Sequence, residues 1–124
     1  MQEGKRQKQV GSLLNEELNA IFQRLGLGML NGGMVSITDV KMTPDLLEAR
    51  IYLSFFQVRD VQTTLQIIEQ RGWEIKRELT SRVAKQLRRM PELKFFHDDT
   101  LDQVFKMEEL FKKINEEKKD EDKG

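Results

Sequence analysis

The sequence predicts an α+β domain in the order α-β-β-α-(Gly kink)-α-β-α, with a three-stranded sheet and helices on one face. Three observations carry this. Apolar residues recur at helical spacing near the start, two strand-like runs flank a Thr-Pro-Asp turn, and helical periodicity resumes on both sides of a short extended run.

The first helix is written by Val10, Leu13, Leu14, Leu18, Ile21, Phe22 and Leu25, one apolar stripe at helical spacing. Gly26 is suited to end it, and Gly26-Leu27-Gly28 with Asn31-Gly32-Gly33 reads as loop. Met34 to Met42 reads as a strand whose apolar phase slips from odd positions (Val35, Ile37) to even ones (Val40, Met42), so a bulge is expected near Asp39. Thr43-Pro44-Asp45 supplies turn chemistry. Beyond it Leu47, Ala49, Ile51, Leu53 and Phe55 alternate with polar residues, which makes the two strands an antiparallel hairpin. Asp60 is placed to cap a helix carrying Val61, Leu65 and Ile68. That helix meets Gly72 with no polar linker before periodicity resumes, the pattern of a kink rather than a loop. The next helix is expected from Trp73 to about Arg89, because Pro91 disfavours helix at the residue before it. Leu93 to His97 is a short strand. Asp98-Asp99-Thr100 then opens a last helix with Leu101, Val104, Met107, Leu110, Phe111 and Ile114 as its stripe.

A chain of 124 residues has room for one core, so residues 1–115 are expected to form one domain. Residues 116–124 contain nothing apolar to bury and read as a solvated, disordered tail. The absence of cysteine excludes disulfides and thiolate chemistry. With no secretory pattern at the start and no apolar run near the roughly 20 residues a membrane span needs, the expectation is a soluble cytoplasmic protein without a membrane partner. The net charge of zero hides an uneven distribution. Residues 98–124 hold ten acidic and six basic side chains, whereas residues 71–94 hold eight basic and three acidic ones.

The basic stretch is ordered on a helical wheel. With Ile75 at the origin, Leu79, Val83 and Leu87 fall at about 40°, 80° and 120°, an apolar face. Arg77, Arg88, Lys85, Arg89 and Arg82 then occupy an arc from about 200° to about 340°, with Lys76 at the apolar boundary. A charged face is more often a solvated surface laced with pairs between residues four apart. The excess of positive charge and the preference for arginine, whose planar fork matches phosphate oxygens, weigh for nucleic acid and bring the two readings level.

Other constellations have plainer readings. His97, the one histidine, lacks a second ligand or base partner and is read as structural. Asp98, Asp99 and Asp102 offer a magnesium site for a nuclease, but acidic residues at a helix start more often serve as caps. Gly26-Leu27-Gly28 is a fragment of a phosphate loop in the wrong place, after a helix. Trp73 and Tyr52 are read as packing rather than base-stacking platforms. No catalytic residue, metal set or cofactor site emerges.

Taken in order, Ile37-Thr38-Asp39-Val40-Lys41-Met42-Thr43-Pro44-Asp45-Leu46 with Ala49-Arg50-Ile51-Tyr52-Leu53-Ser54, then Gly72 with Ile75-Lys76-Arg77-Glu78-Leu79, then Pro91-Glu92-Leu93-Lys94-Phe95 and Asp98-Asp99-Thr100-Leu101 resemble the ribosome-binding factor A family. Arg6-Gln7, Val10 and Glu17-Leu18 fit its first helix. The resemblance implies a type II KH-like fold and a monomeric, non-enzymatic assembly factor. As partners it implies the free 30S ribosomal subunit and 16S ribosomal RNA, with no small-molecule substrate. It implies assistance in late maturation of the 5′ end of that RNA, most needed in the cold. It further implies an Ala-x-Gly interhelical kink in place of the usual GxxG loop. This chain reads Gln70-Arg71-Gly72 there, keeping the glycine and replacing the alanine. The expected RNA-binding residues are Lys5, Arg6, Lys8, Arg71, Lys76, Arg77, Arg82, Lys85, Arg88 and Arg89. The alternative is a protein-interaction module acting through the last helix and acidic tail.

Overall fold

A computed structural model describes residues 4–100 and 107–114. The stripe that begins the sequence becomes α1 (Lys5–Arg24), which buries Val10, Gly11, Leu14, Leu18, Ile21 and Phe22. Gly26 turns the chain out of it with φ at +72°, a conformation that costs a residue without Cβ little. The following loop contains two paired residues, β1 (Met29–Leu30), which add a short fourth strand to the three expected. Two residues are too few to show alternation in a sequence, and what creates the strand is the reversal at Asn31-Gly32, both at positive φ.

Next come β2 (Gly33–Met42) and β3 (Glu48–Phe56), an antiparallel hairpin. Their register slips between Ile37 and Asp39, the bulge that the apolar phase shift requires. In the turn, the Asp45 carboxylate accepts from the Thr43 hydroxyl at 2.6 Å and from the Leu47 N–H at 3.0 Å. Leu47 is exposed, so the inward alternation of β3 begins at Ala49 rather than at Leu47. The sheet order is β1-β2-β3-β4, with β4 (Glu92–His97) parallel to β3 at the edge.

A parallel neighbour needs a crossover. Here α2 (Val61–Gln70) and α3 (Gly72–Val83) provide it. Asp60 caps α2 as its position predicts, accepting from the Gln62 N–H. A single residue, Arg71 at φ −94° and ψ 11°, separates the two helices. Gln70 is exposed there, so the larger side chain is accommodated at the kink. A Cβ added at Gly72 would meet only the Phe95 ring at 3.9 Å, an ordinary contact, and its φ is not positive. Gly72→Ala is therefore expected to leave stability unchanged or raise it by up to about 1 kcal/mol, read as the urea midpoint.

The helix expected to reach Arg89 ends at Val83, and this is the largest correction to the sequence reading. The Val83 carbonyl accepts from the N–H groups of Gln86 and Leu87, closing a turn, and residues 84–91 form a connecting loop. The reason lies downstream. β4 must start beside β3, where the Glu92 N–H donates to the Leu47 carbonyl. Six more helical residues would carry the chain about 9 Å onward with only Met90 and Pro91 left to return. Leu87 and Met90 instead fold back against the core.

The core gathers α1, α2 and α3 on one face of the sheet through Leu14, Leu18, Ile51, Leu53, Ile68, Ile75 and Leu79, all fully buried. Residues 107–114 are helical (α4), and the Met107, Leu110, Phe111 and Ile114 of the expected stripe are exposed. Leu101, Val104, Asp102 and residues 116–124 lie outside the described residues.

Candidate nucleic-acid interface

The ten basic residues singled out in the sequence do not form one arc. With α3 ending at Val83, only Lys76, Arg77 and Arg82 project from it, while Lys85, Arg88 and Arg89 sit on the exposed loop that follows. That loop meets the first turn of α1. The Arg6 guanidinium donates to the Gln86 carbonyl at 3.4 Å, joining residues eighty positions apart.

Arg6, Lys85, Arg88 and Arg89 line a single groove of about 840 Å³, floored by Val10, Leu87 and Pro91 and walled on its other side by Asp45, Leu46 and Leu47. Asp45 is the one acidic residue of its lining. Hydrogen bonds from the Thr43 hydroxyl and the Leu47 N–H hold its carboxyl below the usual carboxylate range, so its negative charge is occupied within the turn. Lys5 and Lys8 are exposed on the same first turns of α1. No acidic residue stands in that first turn, so the cations add to the partial positive charge of the helix terminus. Placing three cations there is unfavourable for the helix itself and concentrates positive potential at the groove.

Two of the expected residues are engaged inside the fold. Arg71 donates to the Leu25 carbonyl at 3.2 Å and pairs with Glu74 at 2.6 Å, tying the kink to the end of α1. Arg82 pairs with Glu17 at 3.2 Å, and Arg24 pairs with Glu78 at 3.1 Å; together these two ion pairs clasp α1 to α3. Arg77 lies in a separate depression with Arg24 and Arg82, among Glu74 and Glu78. Lys76 lies on a third surface with Trp73, Lys94 and Phe96. Trp73 is 65 % exposed, against the expectation that it packs. Tyr52 is half-buried and stacks on Phe96 with ring centroids 5.5 Å apart. Lys94, which the sequence reading passed over as part of a strand, pairs with Glu48 at 3.2 Å.

Asp98 accepts from the Thr100 N–H at 3.1 Å and hydroxyl at 2.6 Å, the geometry of a helix cap, and helical backbone begins at Thr100. Those bonds, the Thr100 hydroxyl first and the Thr38 hydroxyl second, lower its pKa. Among the described residues no group of three or more His, Cys, Asp or Glu is placed to hold a metal ion, and none of the helices is long and apolar enough to cross a membrane.

Comparison with known proteins agrees with this architecture. The sequence profile of ribosome-binding factor A matches residues 6–111. Ribosome-binding factor A of Flavobacterium johnsoniae is 37 % identical over 107 residues, 86 % of this chain and 82 % of that protein. The protein of the same name from Christiangramia forsetii is 34 % identical over 113 residues, covering 90 % and 86 %. Among solved structures, the crystal structure of ribosome-binding factor A from Thermus thermophilus superposes with a TM-score of 0.62 at 20 % identity, covering 73 % of this chain and 94 % of that one. A homology model of Thermus thermophilus ribosome-binding factor A fitted into a cryo-EM map of a 30S–RbfA complex superposes with a TM-score of 0.53 at 20 % identity, covering 78 % and 96 %. A mixed sheet covered on one side by helices, a one-residue break between α2 and α3, and a profile match across nearly the whole chain converge: this chain belongs to the ribosome-binding factor A family of non-enzymatic ribosome-binding proteins.

Proposed function

We propose that the protein binds the free 30S ribosomal subunit in the cytoplasm as a monomer, gripping the phosphates of 16S ribosomal RNA in the groove between the start of α1 and the 84–91 loop. The observation that carries this reading is the convergence of Arg6, Lys85, Arg88 and Arg89 on one groove from two ends of the fold. Arginine forks suit phosphate pairs, and a groove open to solvent tracks a folded RNA backbone without having to read bases. Lys5 and Lys8 extend the positive field; Lys76 and Arg77 lie on neighbouring surfaces and contribute at longer range. Arg71 and Arg82 take part chiefly by positioning α1 and α3. The chain's place in this family, together with the 30S complex of the Thermus thermophilus protein, supports the small subunit as the ligand. By the same reading the protein assists late maturation of the 5′ end of 16S ribosomal RNA, with its largest effect in the cold.

The test is co-sedimentation with purified 30S particles across a salt series, with crosslinked positions mapped on protein and RNA. About four phosphates neutralised give a log–log slope of about −3.6. A slope near zero, or crosslinks confined to ribosomal proteins, overturns the reading. In cells lacking the protein, precursor 16S RNA extended at its 5′ end should accumulate, more so at low temperature.

A further inference from the structure

The sheet face opposite α1, α2 and α3 has a shape of its own. Met29, Met34 and Phe56 lie side by side across β1, β2 and β3, paired in register, and each is more than half exposed. Two residues along, Ser36 pairs with Ser54. Two further along β3, Tyr52 stacks on Phe96. Bulky apolar rims thus flank a floor of serines. From Phe56 to Tyr52 is four residues of strand, about 13 Å. An α-helix with its side chains is about 10–12 Å across. The trough has the width of one helix.

The same chain carries a helix in need of cover. In α4, Met107, Leu110, Phe111 and Ile114 form a stripe at i, i+3, i+4 and i+7, each at least 40 % exposed. Helices in proteins owe most of their stability to burying such a stripe rather than to intrinsic propensity. The connection is also directed. The Asp98 N–H donates to the Leu53 carbonyl at 2.7 Å, so the chain leaves β4 level with the serine row. The Asp98 carboxylate then accepts from the Thr38 hydroxyl of β2 at 2.7 Å, reaching past β3. Eight residues, 99–106, lie between Asp98 and Met107 in the sequence, a separation that no conformation can stretch beyond about 28 Å, against strands about 4.8 Å apart.

We infer that α4 docks into this trough in its own chain, its apolar stripe seated on the Ser36–Ser54 floor between the Phe56 and Phe96 rims. The short tether favours this occupant over a second copy, because it holds α4 at an effective concentration in the millimolar range. The docked helix closes the sheet between two helical layers.

The absence of cysteine allows a clean test on the full chain. Ser54→Cys with Leu110→Cys places thiols on the floor and on the stripe. Ser54→Cys with Lys112→Cys is the control, since Lys112 stands about 200° around α4 from Leu110. Under mild oxidation of dilute protein, the first pair should close an internal disulfide about tenfold faster than the second. Equal rates overturn the inference, and so does a disulfide-linked dimer as the main product, which points to a second copy. A cysteine-free measurement stands beside it. Leu110→Asp with Phe111→Asp should shift the amide resonances of Ser36 and Ser54 while those of α1 stay in place; unchanged serine resonances overturn the inference equally.

Discussion

Gly33→Ala is expected to destabilise the fold by about 3 kcal/mol, the upper end of what overpacking costs. A Cβ built at Gly33 would lie against the Phe56 carbonyl oxygen, 2.5 Å from the Val58 nitrogen and 2.6 Å from the Gln57 carbonyl carbon. All three are backbone atoms, so no side chain can swing aside. Relief requires the end of β3 to move away from β2, and the register that sets Val35 against Phe55 moves with it. Since such domains are stable by only about 5–15 kcal/mol, a loss of this size lowers Tm by about 15 °C. Calorimetry checks it directly. Gly72→Ala serves as the comparison, because there the added carbon meets one ring edge at van der Waals distance. Equal Tm values for the two variants would show that the close approach at Gly33 relaxes without cost.

The two glycines also show where the sequence is legible and where it is not. Gly72 announces itself because it interrupts helical periodicity, and the break it marks is real. Gly33 sits among other loop glycines and gives no sign that a neighbouring strand crosses its missing side chain. Local pattern likewise places the stripe of α1, the bulge near Asp39, the cap at Asp60 and the short strand after Pro91, since each of these is decided by residues within a few positions. The end of α3 was not legible. Residues 84–89 have ordinary helix formers among them, and the chain leaves the helix because β4 must begin beside Leu47, a constraint about forty residues away in the sequence. The candidate site suffered most from this. The wheel joined Arg82 to Lys85 and Arg88, whereas the fold pairs Arg82 with Glu17 and brings Arg6 to the loop instead. Charge counts identify the basic segment; which cations remain available to a ligand depends on acidic partners that only the tertiary structure supplies.

That distinction sets the size of the second expected effect. Lys85, Arg88 and Arg89 are exposed, lie beyond the end of α3 and, among the described residues, enter no ion pair. Reversing all three to glutamate is therefore expected to shift stability by no more than about 0.5 kcal/mol each. Binding should respond very differently. Each phosphate neutralised contributes about 0.9 to the log–log salt slope, which between 1 M and 0.1 M salt amounts to roughly eightfold in affinity. Three lost contacts give about 500-fold at 0.1 M, and the new carboxylates facing phosphates push the loss beyond that. Sedimentation with 30S particles should show the affinity collapse and the slope flatten by about 2.7, while the circular dichroism melt stays in place. Arg82→Glu provides the contrast, because it sets a second carboxylate against Glu17 at the α1–α3 clasp and so should lower Tm. If the triple reversal leaves both affinity and slope unchanged, the groove is not the RNA contact. The Lys76 and Arg77 surfaces then become the place to look, since their cations stand outside the groove and are untouched by the substitutions.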